Sequence, residues 1–144
     1  MIKDLRQALQ QGLKAIPSLN VYVGIPTAIV APFAVITLKE ADGVDYDLTS
    51  RNSSLIYHFV VDVGVNFSTV VEPAQEALDL YIQNNGDYSV KYALESFADA
   101  GNHPDFDDLR VTGIPNYGKY SLNGTTYYAV RFGVDVIVTS TEET

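Results

Sequence analysis

Apolar residues recur at Ile2, Leu5, Leu9, Leu13 and Ile16, with Lys3, Asp4, Gln7, Gln10, Gln11 and Lys14 between them. Spacings of three and four predict an amphipathic helix of about four turns. Pro17 should end it, because the residue before a proline is pushed out of helical geometry. Residues 20–23 and 33–39 then read as strands, separated by a passage punctuated by Pro26 and Pro32. A polar excursion over 40–53 follows, with a turn at Asp42-Gly43 and a short alternating strand over 44–48.

The pattern changes at residue 54. Leu55, Tyr57, Phe59, Val61, Val63 and Val65 alternate with Ile56, His58, Val60, Asp62, Gly64 and Asn66. Alternation of period two over 54–67 predicts one long strand with a buried face and a wetter face. Helical spacing returns with Ala74, Ala77, Leu78 and Tyr81, where Pro73 suits the first helical position and Asn84-Asn85-Gly86 the stop. Val90, Ala93, Leu94 and Phe97 repeat the stripe, closed by Gly101. Residues 109–139 read as three consecutive strands, with Asn123-Gly124 as a two-residue hairpin turn. The whole predicts a single α+β domain over 1–144. Its sheet is mostly antiparallel or mixed, twisted and of about five to six strands, with the N-terminal helix and the central helix pair on one face.

Two strands are long for a chain of this size. A compact domain of 144 residues has a diameter of about 37 Å. Extended chain over 54–67 would span about 46 Å, and over 125–139 about 50 Å. Either the strands bend, with Gly64 and Gly133 as the sites, or they project and offer backbone to another chain.

Composition narrows the functional classes. With 18 acidic and 9 basic residues the net charge is −9. An acidic surface repels phosphate backbones, so a nucleic-acid partner is not expected. Lys3, Arg6, Lys14 and Lys39 lie in the first 39 positions, which leaves room for a basic face on an acidic body. The chain has no cysteine, excluding disulfides, thiolate nucleophiles and Cys-ligated zinc. No signal-peptide pattern and no apolar run long enough to span a bilayer are read, so a cytosolic site of synthesis and no membrane partner are expected.

Candidate chemistry is sparse. His103, Asp105, Asp107 and Asp108 come nearest to a hard-cation site, but they lack the glycine and distal glutamate of a calcium loop. The acidic cluster Glu40, Asp42, Asp45 and Asp47 reads as a solvated loop or a contact surface for a basic partner. No nucleophile elbow and no phosphate-binding glycine loop occurs, so no catalytic residue, metal or cofactor is expected. Ten tyrosines suit sheet surfaces and interfaces.

An ordered series of features spans nearly the full length. It begins with the helix ending Ala15-Ile16-Pro17-Ser18-Leu19-Asn20-Val21-Tyr22 and the proline-marked passage into Phe33-Ala34-Val35-Ile36. The strand Tyr57-His58-Phe59-Val60-Val61-Asp62-Val63 and the helix Glu76-Ala77-Leu78-Asp79-Leu80-Tyr81 follow. Asp108-Leu109-Arg110-Val111-Thr112-Gly113 and the hairpin ending Tyr127-Tyr128-Ala129-Val130-Arg131-Phe132 complete it. In this order the chain resembles the small tail terminator and head–tail connector proteins of long-tailed, non-contractile bacteriophages. The resemblance implies a structural virion protein, not an enzyme. It would form a hexameric ring that caps the tail tube, ends tube polymerisation and joins tail to head, after assembly in the host cytoplasm. Its implied partners are further copies of itself, the tail tube protein and a head-completion or connector protein. Asp42, Asp45, Asp47, Arg51, Lys119 and Arg131 are candidates for contact with neighbours. A head-closure or neck protein on the portal side is the alternative, and a small metal- or ligand-binding α+β enzyme is a further one.

Overall fold

A computed structural model describes residues 2–24, 27–39, 43–46, 54–66, 71–100, 108–122 and 124–139. Its elements are α1 (Ile2–Leu13), β1 (Asn20–Val23), β2 (Phe33–Leu38), β3 (Val44–Tyr46), β4 (Ser54–Asn66), α2 (Val71–Ile82), α3 (Val90–Asp99), β5 (Asp108–Leu122) and β6 (Thr125–Thr139). The fold is α+β. The sheet runs β1-β2-β4-β6-β5, with β3 pairing β4 beyond the end of β2. Among the described residues β1 and β2 alone pair in parallel; the other pairs are antiparallel.

The odd-numbered side chains of β4 meet the three helices. Tyr57, Phe59, Val61 and Val63 join Leu5, Leu9 and Leu13 of α1, Leu78 and Tyr81 of α2, and Val90 and Leu94 of α3 in one core. The N-terminal helix is shorter than the apolar spacing predicts. It ends at Leu13, and tight turns closed by Ala15 N–H to Gly12 O and Ile16 N–H to Leu13 O carry Ile16 into the core. Helix α2 starts at Val71, two residues before the expected position. Pro73 is tolerated there because amides of the first turn have no intrahelical acceptor. Ser89 starts α3: its Oγ accepts from Tyr92 N–H at 3.0 Å while its hydroxyl donates to the Gln83 carbonyl. Ala100 caps the end of α3, and Gly101 lies outside the described residues.

The largest departure is in the last third. Residues 108–122 form one strand where two were expected. Val111 pairs with Val134, Gly113 with Gly133 and Asn116 with Arg131, so β5 gains one extra residue at each of the two steps. Bulges absorb Gly113 and Pro115, which read locally as strand breakers. Chain reversal falls where Asn-Gly predicts it: Leu122 pairs with Thr125, and Gly124 has a φ of +80°, favoured by glycine. The long strands β4, β5 and β6 lie side by side and pair along their length, so none projects past its neighbours. The irregularity is in β5, opposite Gly133, and the β4–β6 pairing is unbroken through Gly64.

Gly64 serves a different need. Phe33 stands opposite it in β2, and a β-carbon at Gly64 would collide with the Phe33 ring. That ring packs edge-on against Tyr127, with centroids 5.0 Å apart, and joins Val35 and Leu122 in a second core on the helix-free face. This face was expected to be wet, yet Val60 and Asp62 are buried on it. Gly64→Ala should therefore cost about 1–3 kcal/mol of stability by overpacking. The cost should shrink in a Phe33→Leu background, a coupling that urea denaturation of the double-mutant cycle would measure.

Candidate functional site

Pairing β4 with β6 places Asp62 opposite Arg131 and His58 opposite Asp135. All four lie on the helix-free face, since their strand neighbours Val61, Val63, Val130 and Val134 belong to the helix-side core. The Asp62 side chain is 4% exposed and that of Arg131 37%. Arg131 grips the carboxylate with both arms, Nε to Oδ1 at 2.8 Å and Nη2 to Oδ2 at 3.1 Å. The carboxylate thus accepts two charge-assisted hydrogen bonds from one cation, the pairing a buried charge requires. Tyr120 lines the same groove as the pair, and its phenol feels the Asp62 charge.

Burial pushes the Tyr120 phenol up to about 12, with the Asp62 charge adding to the rise and Arg131 opposing it. A groove of about 320 Å³ opens beside this cluster, bordered by Asn116, Tyr117 and Lys119 of β5. On the other face of β5, beside Val130 of the helix-side core, the Tyr117 hydroxyl donates to Asp79 of α2 at 3.3 Å. A second groove, of about 420 Å³, lies where the bulged part of β5 arches over Val60 and Gly133. On its wall His58 Nδ1 and Asp135 Oδ1 are 2.5 Å apart, near Lys39. Arg110 is the strand partner of Asp135 on the other side. The arrangement supplies fixed charges on a concave sheet surface, a chemistry suited to recognising another macromolecular surface.

The expected site residues scatter. Asp108 opens β5, where its carboxylate accepts from Leu109 N–H at 2.9 Å and lies 3.6 Å from Arg110. His103, Asp105 and Asp107 lie outside the described residues, as do Asp42, Asp47 and Arg51. Asp45 stands in β3 opposite Ile56. Lys119 is exposed on β5 opposite Tyr128. Arg131, a candidate for contact with a neighbour, has its guanidinium held by Asp62 of the same chain. Among the described residues no group of three potential metal ligands occurs, and no helix is long and apolar enough to cross a membrane.

Sequence reasoning missed the Asp62–Arg131–Tyr120 cluster. Asp62 was visible as an acid in an apolar alternation, but its partner follows only from the register of two strands far apart in the chain. No protein-family model matches the chain, and no curated protein matches it significantly.

Two measurements probe this cluster. Arg131→Leu should leave a buried carboxylate without its cation and cost about 3–5 kcal/mol in denaturant unfolding. Tyr120 should ionise late in an ultraviolet pH titration, and Tyr81 and Tyr117, which burial also pushes up, are to be told apart from it by the Tyr120→Phe variant. The folded-state value of Tyr120 lies above the ordinary 10, so both states keep the proton below pH 10. Between about pH 10 and 12 the unfolded chain releases it while the folded chain retains it, so stability falls as pH rises through that window. Tyr120→Phe should remove that part of the alkaline loss.

Proposed function

We propose that this chain is a structural protein of a bacteriophage virion, a ring-forming tail terminator at the junction of tail and head. The reading rests on the ordered resemblance set out above, whose features run through α1, β1, β2, β4, α2 and the β5–β6 hairpin in turn. One observation carries it on the structural side. The sheet leaves two different edges, β1 and β5, on opposite sides of the molecule. A head-to-tail ring needs two unlike surfaces placed in this way, because each copy presents one to its predecessor and the other to its successor. The fixed charges and shallow grooves of the helix-free face suit contact with a tube or connector surface. In this role the partners are other copies of the chain, the tail tube protein and a head-completion protein, and the place of action is the virion after assembly in the host cytoplasm.

Negative-stain microscopy tests the proposal. Purified protein, alone or mixed with tail tubes, should give six-fold rings or caps at tube ends. A strictly monomeric chain that leaves tubes unbound would overturn it. Disrupting the gene should give overlong tails; tails of normal length beside heads that leak DNA would favour the head-closure role instead.

A further inference from the structure

The two sheet edges differ in charge as well as in position. At one edge α1 runs beside β1, and Gln10 reaches from the helix to the Val21 carbonyl at 3.3 Å. Lys3, Arg6, Gln10 and Lys14 follow one another at three- and four-residue spacing, so they form one stripe along this helix and the turn that ends it, where Lys14 N–H still reaches Gln10 O at 3.1 Å. Lys3 and Lys14 are exposed. Arg6 is half-buried, and its Nε is sealed from solvent without a hydrogen-bond partner. Among the described residues none of these three cations makes an ion pair.

The opposite edge carries one carboxylate in excess of its cations. Helix α3 lies against β5 there, and a groove of about 400 Å³ between them is lined by Glu95, Asp99 and Asp108 with Lys91 and Arg110. Lys91 pairs with Glu95 at 2.7 Å and Arg110 with Asp108 at 3.6 Å, so two of the three carboxylates are offset by these cations. Asp99 is exposed and has no ion-pair partner among the described residues.

Backbone addition is disfavoured at both edges. Two bulges and Pro115 interrupt β5, and Glu95 Oε2 accepts the Val111 N–H at 3.1 Å. At β1 the Gln10 amide occupies a carbonyl. These are the devices by which proteins blunt exposed strands. Side-chain charge is what remains for edge-to-edge contact.

We infer that the cationic α1–β1 edge of one copy docks into the carboxylate-lined α3–β5 groove of the next, with Lys14 and Arg6 meeting Asp99. This rests on the ring reading and names the surface that closes the ring. The occupant is a second copy because both complementary patches belong to one chain and stand on opposite edges. Such a contact is heterologous; a two-fold dimer through either patch would set like charges together.

The absence of cysteine makes the test direct. A full-length chain carrying Gln7→Cys and Ala100→Cys, exposed positions beside the charged groups that leave those groups in place, oxidised at low salt, should give a ladder of cross-linked oligomers ending at the ring. Each single variant should give no ladder, and high salt should weaken the double variant's ladder by screening. Charge reversal gives a second readout by light scattering. Lys14→Glu or Asp99→Lys alone should lower the association constant by about tenfold or more, and combining both in one chain should restore it. Circular dichroism verifies that these exposed substitutions leave the fold intact. Wild-type rings with no ladder, or with assembly indifferent to charge reversal, would overturn the surface while leaving the ring reading in place. A dimer cross-linked through Gln7→Cys alone would overturn the heterologous geometry. A wild-type chain that forms no ring, alone or on tail tubes, would overturn both readings.

Discussion

The pairing of β4 with β6 runs from Ser54 opposite Thr139 to Asn66 opposite Tyr127 without a bulge, and the other elements take their places from it. Because side chains alternate strictly along a strand, this register assigns Tyr57, Phe59, Val61, Val63, Val130, Phe132 and Val134 to the helix side together. A slip by one residue would turn that set away from the helices and bring Asp62 and Arg131 into the apolar core. The bidentate Asp62–Arg131 pair opposes such a slip, since neither charge has an equivalent partner one position away. A buried pair of this kind is a specificity device more than a source of net stability.

What lies outside that central pair is adapted to it. On one flank Phe33 of β2 folds over Gly64, and the missing side chain there lets an aromatic ring seal a face with no helix above it. On the other flank β5 must follow β6 over fifteen residues while carrying Gly113, Pro115 and Gly118. It does so by bulging toward the helix-free face, and the arch over Val60 and Gly133 makes the groove that holds His58 and Asp135. A missing side chain at one glycine and extra backbone opposite another are thus two answers to one demand: keeping the β4–β6 ladder continuous.

The same architecture bears on association. Blunted edges discourage indiscriminate strand addition, while charge segregated between α1 and the α3–β5 groove offers a selective alternative. The over-long strands that first suggested shared sheets pair within the molecule. The case for assembly consequently moves from backbone to side chains, and from the hairpin to the two edges.

Much of the fold is legible in the residues themselves. The alternation through β4, the helical stripes around Leu9, Leu78 and Leu94, and the Asn-Gly reversal are local patterns, and local geometry reads them directly. The division of 109–122 into two strands was wrong because Gly113 and Pro115 are local breakers, whereas a continuous partner strand can hold a bulged chain in one sheet. The polar cluster was illegible for a related reason. Asp62 and Arg131 are 69 residues apart, and their meeting depends on a register that no window of sequence contains. Periodicity by itself determined which residues of β4 and of the helices share the helix-side core; only the tertiary structure buried the other face of β4 and decided which charges face each other, because burial and electrostatic partnership are properties of distance in space and not of spacing along the chain.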